Sequence, residues 1–226
     1  MSPGRVWVVI PAYNEAPVIA GVVEAVCARV GNVVVVDDCS GDGTREAALS
    51  GGAVVLRHPI NLGQGAALQT GIRYALSRGA EFIVTFDADG QHRPEDIAVL
   101  LDTQRRTGAD VVIGSRFLGS AENIPASRRA ILRLAVVFTR VTGGLKLTDV
   151  HNGLRLLTRA AAQRIRIRQN RMAHASEIID EIRRLGLSVA EAPVTIVYTE
   201  YSLRKGQRIG NALNILSEIF AARISK

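Results

Sequence analysis

Aromatic residues, cysteines and long apolar runs are all scarce in this sequence of 226 residues. Aromatic side chains make up 4% of the chain and no nucleic-acid-binding motif is recognisable, which argues against a nucleic-acid binder. The two cysteines, Cys27 and Cys39, form no CxxC pair and make a poor disulfide framework, which suits a reducing cytoplasm. No apolar run approaches the ~18 residues of a membrane span, and the first residues show no signal-peptide pattern.

Charge is distributed unevenly between the two halves of the chain. Residues 1–115 contain nine Lys/Arg and thirteen Asp/Glu, a net charge of −4, whereas residues 116–226 contain nineteen and eight, a net charge of +11. The two values sum to the +7 of the whole chain. A basic second half indicates an anionic partner, such as a phosphate, a nucleic acid or an acidic membrane surface.

Apolar, β-branched runs alternate with helical patterns through the first half. The predicted strands are 5–10, 32–36, 53–56, 81–86 and 110–113, and the predicted helices are 15–29, a short one from 44, 65–78 and 94–106. This alternation predicts a three-layer α/β/α fold with a mostly parallel central sheet. In such sheets ligands bind beyond the carboxyl ends of the strands.

The pattern of predicted strands and helices changes in the second half. Residues 127–141 combine arginines with an apolar helical face. Strands are expected around 154–157 and 194–198, helices around 175–185 and 209–223, and a mobile basic loop over 201–208. The sequence contains no recognisable repeat or linker, so we predict one domain over residues 1–226.

The strongest chemical signal is Asp87-Ala88-Asp89, which directly follows the predicted strand 81–86. Alternate residues of an extended segment project in similar directions, so both carboxylates are expected on one side. Two such hard oxygen ligands can hold Mg²⁺ or Mn²⁺ and leave coordination positions open for diphosphate oxygens. Gln91 or His92 could complete or support the ligand set. A solvated acidic turn is the alternative, because two aspartates at this spacing are common by chance.

Two further polar segments follow apolar strands. Asp37 and Asp38 follow the strand 32–36, where a carboxylate could accept a hydrogen bond from a base N–H or a ribose hydroxyl. The alternative is a helix N-terminal turn with Asp42 as its cap. The segment 61–65, which contains Gln64, opens a helix and could present backbone N–H groups to an anion. It matches neither the Walker loop nor the dinucleotide fingerprint, so a plain turn is equally open.

Taken together, these motifs resemble those of the family-2 glycosyltransferases, which have the nucleotide-diphospho-sugar fold usually called GT-A. The matching stretches occur in family order and extend over more than half of the chain: Ile10-Pro-Ala-Tyr-Asn-Glu15, Val35–Thr44, Asn61–Ala66, Phe86–His92 and Gly114–Phe117. Within the family, Thr148–Arg155 is similar to a segment of the dolichyl- or polyprenyl-phosphate sugar transferases, with His151, Asn152 and Leu154 in place of the usual side chains.

The resemblance implies a metal-dependent, inverting sugar transfer. Residues 1–115 would bind a nucleoside-diphosphate sugar, and residues 116–226 would bind the acceptor. Asp87 and Asp89, helped by Gln91, would hold the metal, and Arg116 would face the sugar or the phosphates. The residues expected to contact the donor are Pro11, Tyr13, Asn14, Glu15, Asp37, Asp38, Gln64, Asp87, Ala88 and Asp89.

The acceptor decides whether the site needs a catalytic base. A hydroxyl acceptor needs one, and Asp149 is the best candidate, ahead of Glu177 and Asp180, with an ordinary ion pair as the alternative for each. A phosphate monoester needs none, because its second pKa is about 6 and it is mostly dianionic at neutral pH. The basic second half therefore favours a phosphate acceptor over a saccharide hydroxyl, and the resemblance to the dolichyl- or polyprenyl-phosphate sugar transferases implies that this phosphate is a polyprenyl phosphate.

Arg129, Arg133 and Arg204 are the residues expected at the acceptor phosphate. The first two lie in the amphipathic segment 127–141, which could rest on a membrane with its arginines at headgroup level or else pack on the core. Arg204 lies in the predicted basic loop. We therefore expect peripheral attachment to the cytoplasmic face of the membrane, with a small membrane-protein partner and homo-oligomer formation as further expectations.

Two other functions share part of this pattern. A family-2 transferase that adds a sugar to a saccharide hydroxyl would use the same donor site, and it predicts that Asp149→Asn abolishes transfer but not donor binding. A non-catalytic nucleotide-sugar binder would show neither transfer nor donor hydrolysis with Mn²⁺. The intact pair of Asp87 and Asp89 argues against the binder.

Overall fold

A computed structural model describes residues 5–123, 147–150, 152–171 and 173–206. The strands are β1 (Val6–Ala12), β2 (Val33–Asp37), β3 (Val54–Arg57), β4 (Phe82–Thr85), β5 (Val111–Glu122), β6 (Arg155–Thr158) and β7 (Val189–Val197). The helices are α1 (Ile19–Val30), α2 (Thr44–Ser50), α3 (Gln64–Ser77), α4 (Asp96–Thr107), α5 (Arg159–Arg164), α6 (His174–Arg184) and α7 (Glu200–Gly206).

The described strands form one sheet in the order β3-β2-β1-β4-β6-β5-β7. Strand β6 runs antiparallel to β4 and β5, and the other neighbours are parallel. The predicted α/β fold with a mostly parallel sheet is therefore confirmed. The chain runs outward from β1 through β2 and β3 and then returns to β4 on the other side of β1. This reversal of strand order is where sheets of this kind bind ligands.

Helices cover both faces of the sheet, because successive residues of a strand point to opposite faces. Every residue of β1 is buried. Val8 belongs to one core, together with Val23 of α1 and Leu100 of α4. Val9 belongs to the opposite core, together with Ile72 of α3. The continuous apolar strands thus form the middle layer that the sequence predicted.

The predicted mobile loop over 201–208 is wrong for its first part, because residues 200–206 form helix α7. Tyr201 Oη donates to Glu15 Oε2 at 2.8 Å, and Lys205 Nζ pairs with the same carboxylate. Lys205 Nζ also donates to the carbonyl oxygen of Tyr13 at 2.9 Å. These contacts join α7 to the loop after β1, so tertiary bonds stabilise a short helix that local patterning did not reveal.

The other differences concern the ends of elements. Helix α1 begins at Ile19 rather than at residue 15, after a turn in which the Ile19 N–H donates to Glu15 O at 3.0 Å. Strand β5 continues to Glu122 instead of ending at 113, and β7 begins at Val189 instead of near 194. Helix α5 was not predicted, and Thr158 caps it by accepting a hydrogen bond from the backbone of residue 161.

The segment before α6 packs its backbone directly against the start of α3. A Cβ atom added to Gly65 would lie closer than 3.0 Å to Gln169 O and 2.9 Å from the Cβ of His174. We therefore expect Gly65→Ala to lower the free energy of unfolding by about 1–3 kcal/mol, because the neighbouring backbone must shift. This expected decrease in stability is opposite to the effect of helix propensity, which favours alanine over glycine.

Gly21→Ala in α1 is the matched control, because a Cβ there meets nothing within 4 Å. It is expected to raise the free energy of unfolding by up to about 1 kcal/mol. Urea unfolding followed by circular dichroism measures both variants. Midpoints that move in the same direction would contradict the close approach of the two backbones at Gly65.

Candidate active site

The acidic pair lies just beyond β4, beside the reversal of strand order. The N–H of Phe86 donates to Val9 O at 3.0 Å, which extends the pairing with β1 as far as the residue before Asp87. Oδ2 of Asp87 lies 2.9 Å from Nε2 of the buried His92, and Oδ1 accepts a hydrogen bond from Gln64 Nε2 at 3.3 Å. The fold thus brings the predicted side chains of Gln64 and His92 to the Asp87 carboxylate.

The two carboxylates of the pair have opposite pKa shifts. Burial raises the pKa of Asp87, but the interaction with His92, together with weaker effects of His174 and Arg155, outweighs burial and lowers the pKa overall. The pKa of Asp89 is raised to about 6, first by burial and second by the charge of Asp87. Asp89 is therefore ionised at neutral pH at an energetic cost that a nearby cation would relieve.

These properties fit a divalent cation bound by Asp87 and Asp89, since both side chains provide hard oxygen ligands. Within the described ranges, no three His, Cys, Asp or Glu side chains converge as a ready-made cation cage. A cation here would therefore need oxygens from a ligand or water as well. Gln91 donates its N–H to Asp89 Oδ1 at 3.1 Å, and its role as a metal ligand stays a prediction, as does that of Ala88 in donor binding.

The loop after β1 lies close enough to the acidic pair for the charge of Glu15 to contribute to the raised pKa of Asp89. Pro11 is buried within β1, whereas the Tyr13 side chain is 46% exposed and available to a ligand. Asn14 has a φ of 53°, a left-handed conformation that asparagine tolerates better than most residues. The predicted donor contacts of these residues stay predictions.

Polar bonds tie this loop to the loop after β2. Asn14 N donates to Ser40 Oγ at 2.9 Å, and its Oδ1 accepts a hydrogen bond from Gly41 N at 2.9 Å. The N–H of Ser40 in turn donates to Oδ1 of the buried Asp37 at 3.0 Å. Asp37 therefore helps to fix the geometry of this loop, and its contact with a donor stays a prediction.

Asp38 organises the segment that the sequence offered as an anion site. Its carboxylate accepts hydrogen bonds from Leu62 N at 2.9 Å and Gly63 N at 2.6 Å. The N–H of Gly65 donates to Asn170 O at 2.8 Å. These three N–H groups already have protein acceptors, so the structure supports a structural turn rather than an anion-binding loop. A nucleoside contact by Asp38 stays a prediction.

Arg116 lies on a bulge of β5 and binds the Asp149 carboxylate. The register between β5 and β7 shifts between Ser115 and Ser120, and bulges of this kind redirect side chains. Arg116 donates to Asp149 Oδ2 from its backbone N at 3.1 Å and from Nε at 2.6 Å. Its Nη1 donates to Tyr198 Oη at 2.7 Å. Asp149, the candidate base, and Arg116, the residue expected to face the sugar or the phosphates, are thus direct partners.

The environment of Asp149 suits positioning better than proton abstraction. Asp149 is 1% exposed, and Glu191 accepts hydrogen bonds from the N–H groups of Thr148 and Asp149 and so fixes the local backbone. Burial alone would lower the pKa of Arg116, but the interactions with the Asp149 carboxylate and the Tyr198 hydroxyl raise it overall. Asp149 thus forms the ion pair that the sequence left open as the alternative, and a role as a base stays a prediction.

Tyr198 was not expected at the site, and Tyr201 and Lys205 were expected there only as part of the basic loop 201–208, without these partners. Their partners are 82 residues away for Tyr198 and 186 and 192 residues away for Tyr201 and Lys205. No local motif marks such distant pairs.

Some predicted residues lie outside the described part of the chain. These are Arg129, Arg133, His151 and the side chain of Arg204. None of the described helices is both long and apolar enough to cross a bilayer.

The topology and the site together define an α/β protein with an acidic pair beside the reversal of strand order, which is where sheets of this kind bind ligands. The family model of glycosyl transferase family 2 matches residues 7–166. The chain therefore belongs to glycosyl transferase family 2, and the family predicted from its motifs is confirmed.

Comparisons with individual proteins agree with the family. The chain is 34% identical to the undecaprenyl-phosphate mannosyltransferase of Micrococcus luteus, over 97% of this chain and 96% of that protein. It is 29% identical to the UDP-N-acetylglucosamine–dolichyl-phosphate N-acetylglucosaminyltransferase of Methanococcus voltae, over 100% of this chain and 99% of that protein. Glucosyl-3-phosphoglycerate synthase from Mycobacterium tuberculosis, crystallised with Mn²⁺ and UDP-glucose, superposes with a TM-score of 0.72 at 19% identity. This structural match covers 96% of this chain and 78% of that one, and it supports the GT-A fold.

Proposed function

We propose that this protein transfers a sugar, with inversion, from a nucleoside-diphosphate sugar to a polyprenyl phosphate. Family membership supports the transferase activity. The names of the relatives from Micrococcus luteus and Methanococcus voltae support a lipid-phosphate acceptor, since both act on an undecaprenyl or dolichyl phosphate.

On the donor side, Asp87 and Asp89 would hold Mg²⁺ or Mn²⁺. The cation would stabilise the negative charge that develops on the leaving diphosphate. His92 and Gln64 restrict the Asp87 carboxylate, and Asp89 contributes an ionised group whose raised pKa reflects its enclosed position. These residues can thus orient the donor before the reaction begins.

On the acceptor side, the contact between Asp149 and Arg116 carries the proposal. The buried carboxylate is occupied by the guanidinium, so it serves to hold Arg116 rather than to deprotonate a hydroxyl. A phosphate monoester is already dianionic at neutral pH and needs no base. Arg116 is also held by the hydrogen bond that its Nη1 donates to Tyr198 Oη. A guanidinium fixed in this way would be well suited to bind phosphate oxygens.

The membrane-related expectations remain part of this proposal. Arg129, Arg133 and Arg204 would bind the acceptor phosphate at the membrane surface, because a polyprenyl chain stays in the bilayer while its phosphate reaches the enzyme. Peripheral attachment on the cytoplasmic face, a small membrane-protein partner and self-association are predictions of the same kind.

A panel of radiolabelled sugar nucleotides tests the proposal. The protein is incubated with each donor and Mn²⁺, with and without undecaprenyl phosphate in vesicles, and the products are partitioned into organic solvent. We expect labelled lipid from at least one donor, formed only when both undecaprenyl phosphate and Mn²⁺ are present.

Two controls make the panel decisive. Undecaprenol, which lacks the phosphate, should give no labelled lipid, and a parallel set of saccharide acceptors should give no labelled oligosaccharide. Product formed only on saccharides would overturn the acceptor assignment. Absence of both transfer and donor hydrolysis across the panel would favour a nucleotide-sugar binder.

A further inference from the structure

The turn that precedes β6 lies directly against the Asp87 carboxylate. A Cβ atom added to Gly153 would lie 2.5 Å from Asp87 Oδ1 and 2.6 Å from Cγ, and closer still to Oδ2. Real Cβ atoms essentially never approach other atoms closer than 3.0 Å. The φ of Gly153 lies outside the left-handed region, so its backbone would accept alanine. The constraint at this position is therefore the carboxylate and not the backbone.

Hydrogen bonds fix the turn in this place. Thr85 Oγ1, at the end of β4, donates to Gly153 O at 2.6 Å. Asn152, which is fully buried, accepts a hydrogen bond from Leu154 N at 2.9 Å and donates to Asp149 Oδ2 at 3.4 Å. The turn thus contacts the acidic pair on one side and the partner of Arg116 on the other.

A buried cation follows the turn. Arg155 is 3% exposed and pairs in the sheet with Thr85, two residues before Asp87. Its Nη2 donates to Val150 O at 3.2 Å, and its Nε has no hydrogen-bond partner among the described residues. Burial lowers the pKa of Arg155 to about 10 against the opposing charges of Asp87 and Asp149, so it stays cationic at neutral pH. The turn therefore combines steric contact with a fixed positive charge close to Asp87.

We propose that Gly153 is a positioning residue for the metal site: by lacking a side chain it allows the Asp87 carboxylate to rest against the turn and to keep its contacts with His92 and Gln64. This inference rests on the proposed role of Asp87 as a metal ligand. Any side chain at residue 153 displaces the carboxylate and breaks its contacts. Substitution of a residue that orients a metal ligand typically lowers metal affinity by about 10- to 100-fold.

Mn²⁺ binding tests this assignment without any sugar transfer. Free Mn²⁺ is titrated by electron paramagnetic resonance against the full-length protein and its variants, and thermal unfolding is recorded for each. Gly153→Ala is expected to raise the Mn²⁺ dissociation constant at least about 10-fold. Gly21→Ala, which adds the same methyl group in open space, is expected to leave the dissociation constant unchanged.

A second pair of variants keeps the test informative if Gly153→Ala does not fold. Thr85→Val removes the hydroxyl that holds Gly153 O and is expected to weaken Mn²⁺ binding several-fold, whereas Thr85→Ser keeps the hydroxyl and should retain the wild-type constant. Wild-type Mn²⁺ affinity in folded Gly153→Ala, or equal affinities for the two Thr85 variants, would overturn the assignment. A wild-type protein that binds no Mn²⁺ would instead refute the proposed metal site itself.

Discussion

Asp89→Asn is expected to lower the rate of sugar transfer at least about 10³-fold, because the site loses an anionic metal ligand whose cation stabilises the leaving diphosphate. The same substitution is expected to make the metal-free protein more stable. In the folded protein, burial and the charge of Asp87 raise the pKa of Asp89 to about 6, so its ionised form is unfavourable there. Activity and stability should therefore move in opposite directions.

The pH dependence of this stability difference follows from the direction of the pKa shift. A carboxyl group whose pKa is higher in the folded state lowers stability as pH rises between its unfolded and folded pKa values. For Asp89 this interval runs from 3.8 to about 6. At 1.36 kcal/mol per pKa unit, the free energy of unfolding of the variant should exceed that of wild type by up to about 3 kcal/mol at pH 7.5, and this pH-dependent difference should vanish below about pH 3.

Urea unfolding in EDTA at several pH values measures the stability difference, and Mn²⁺ titration with transfer assays measures the functional loss. Asp102→Asn is the matched control, since Asp102 is an exposed carboxylate on α4 paired with Arg105, and its loss should change stability by less than about 0.5 kcal/mol. Asp87→Asn should be destabilising, because the pKa of Asp87 is lowered in the fold. A stability difference for Asp89→Asn that does not change with pH would contradict this account.

Much of the sheet could be predicted because its signals are local. The continuous apolar run at 33–36 indicates a strand buried on both faces, and the structure places β2 there. The second part of β5 carries no such run, since residues 116–122 are mostly small or polar and are held by pairing with β7. That pairing depends on a strand about 75 residues away in the chain, so no local pattern could reveal it.

The candidate site shows the same division. Asp87 and Asp89 were found because they follow a strand at a spacing with a clear chemical meaning. The Thr148–Arg155 stretch was recognised only as a resemblance, whereas the contact of Gly153 with the Asp87 carboxylate becomes visible only when β6 is inserted beside β4. For Asp149 the choice between a base and an ion pair stayed open, because sequence distance cannot show that Arg116, 33 residues earlier, binds its carboxylate.

Asp149→Asn is expected to raise the KM for undecaprenyl phosphate more than about 10-fold. The decrease in kcat is expected to be smaller than this increase in KM. Asparagine carries no negative charge and has a single acceptor oxygen, so it holds the guanidinium of Arg116, which donates from Nε at 2.6 Å, less firmly than the carboxylate does. The free energy of unfolding should fall by about 3 kcal/mol or more, because the substitution leaves a buried charge without its counter-ion. Steady-state kinetics against acceptor concentration, with the donor identified by the panel, measures the division between KM and kcat.

A catalytic base at Asp149 would give a different result, and the pair with Arg116 separates the two roles. Loss of a base lowers kcat by about 10²–10⁴ at every acceptor concentration and removes the acidic limb of the pH–rate profile. Loss of a positioning partner leaves that profile unchanged.

A double-variant cycle separates the two roles further. The free energy of unfolding and the acceptor KM of the double variant Asp149→Asn with Arg116→Gln should differ little from those of either single variant, because both substitutions remove the same contact. Arg93 and Glu122, an exposed ion pair at 2.6 Å, supply the control cycle, in which losses should be below about 1 kcal/mol. Fully additive losses at Asp149 and Arg116, with KM unchanged, would show that the ion pair does not position the acceptor and would favour a hydroxyl acceptor instead.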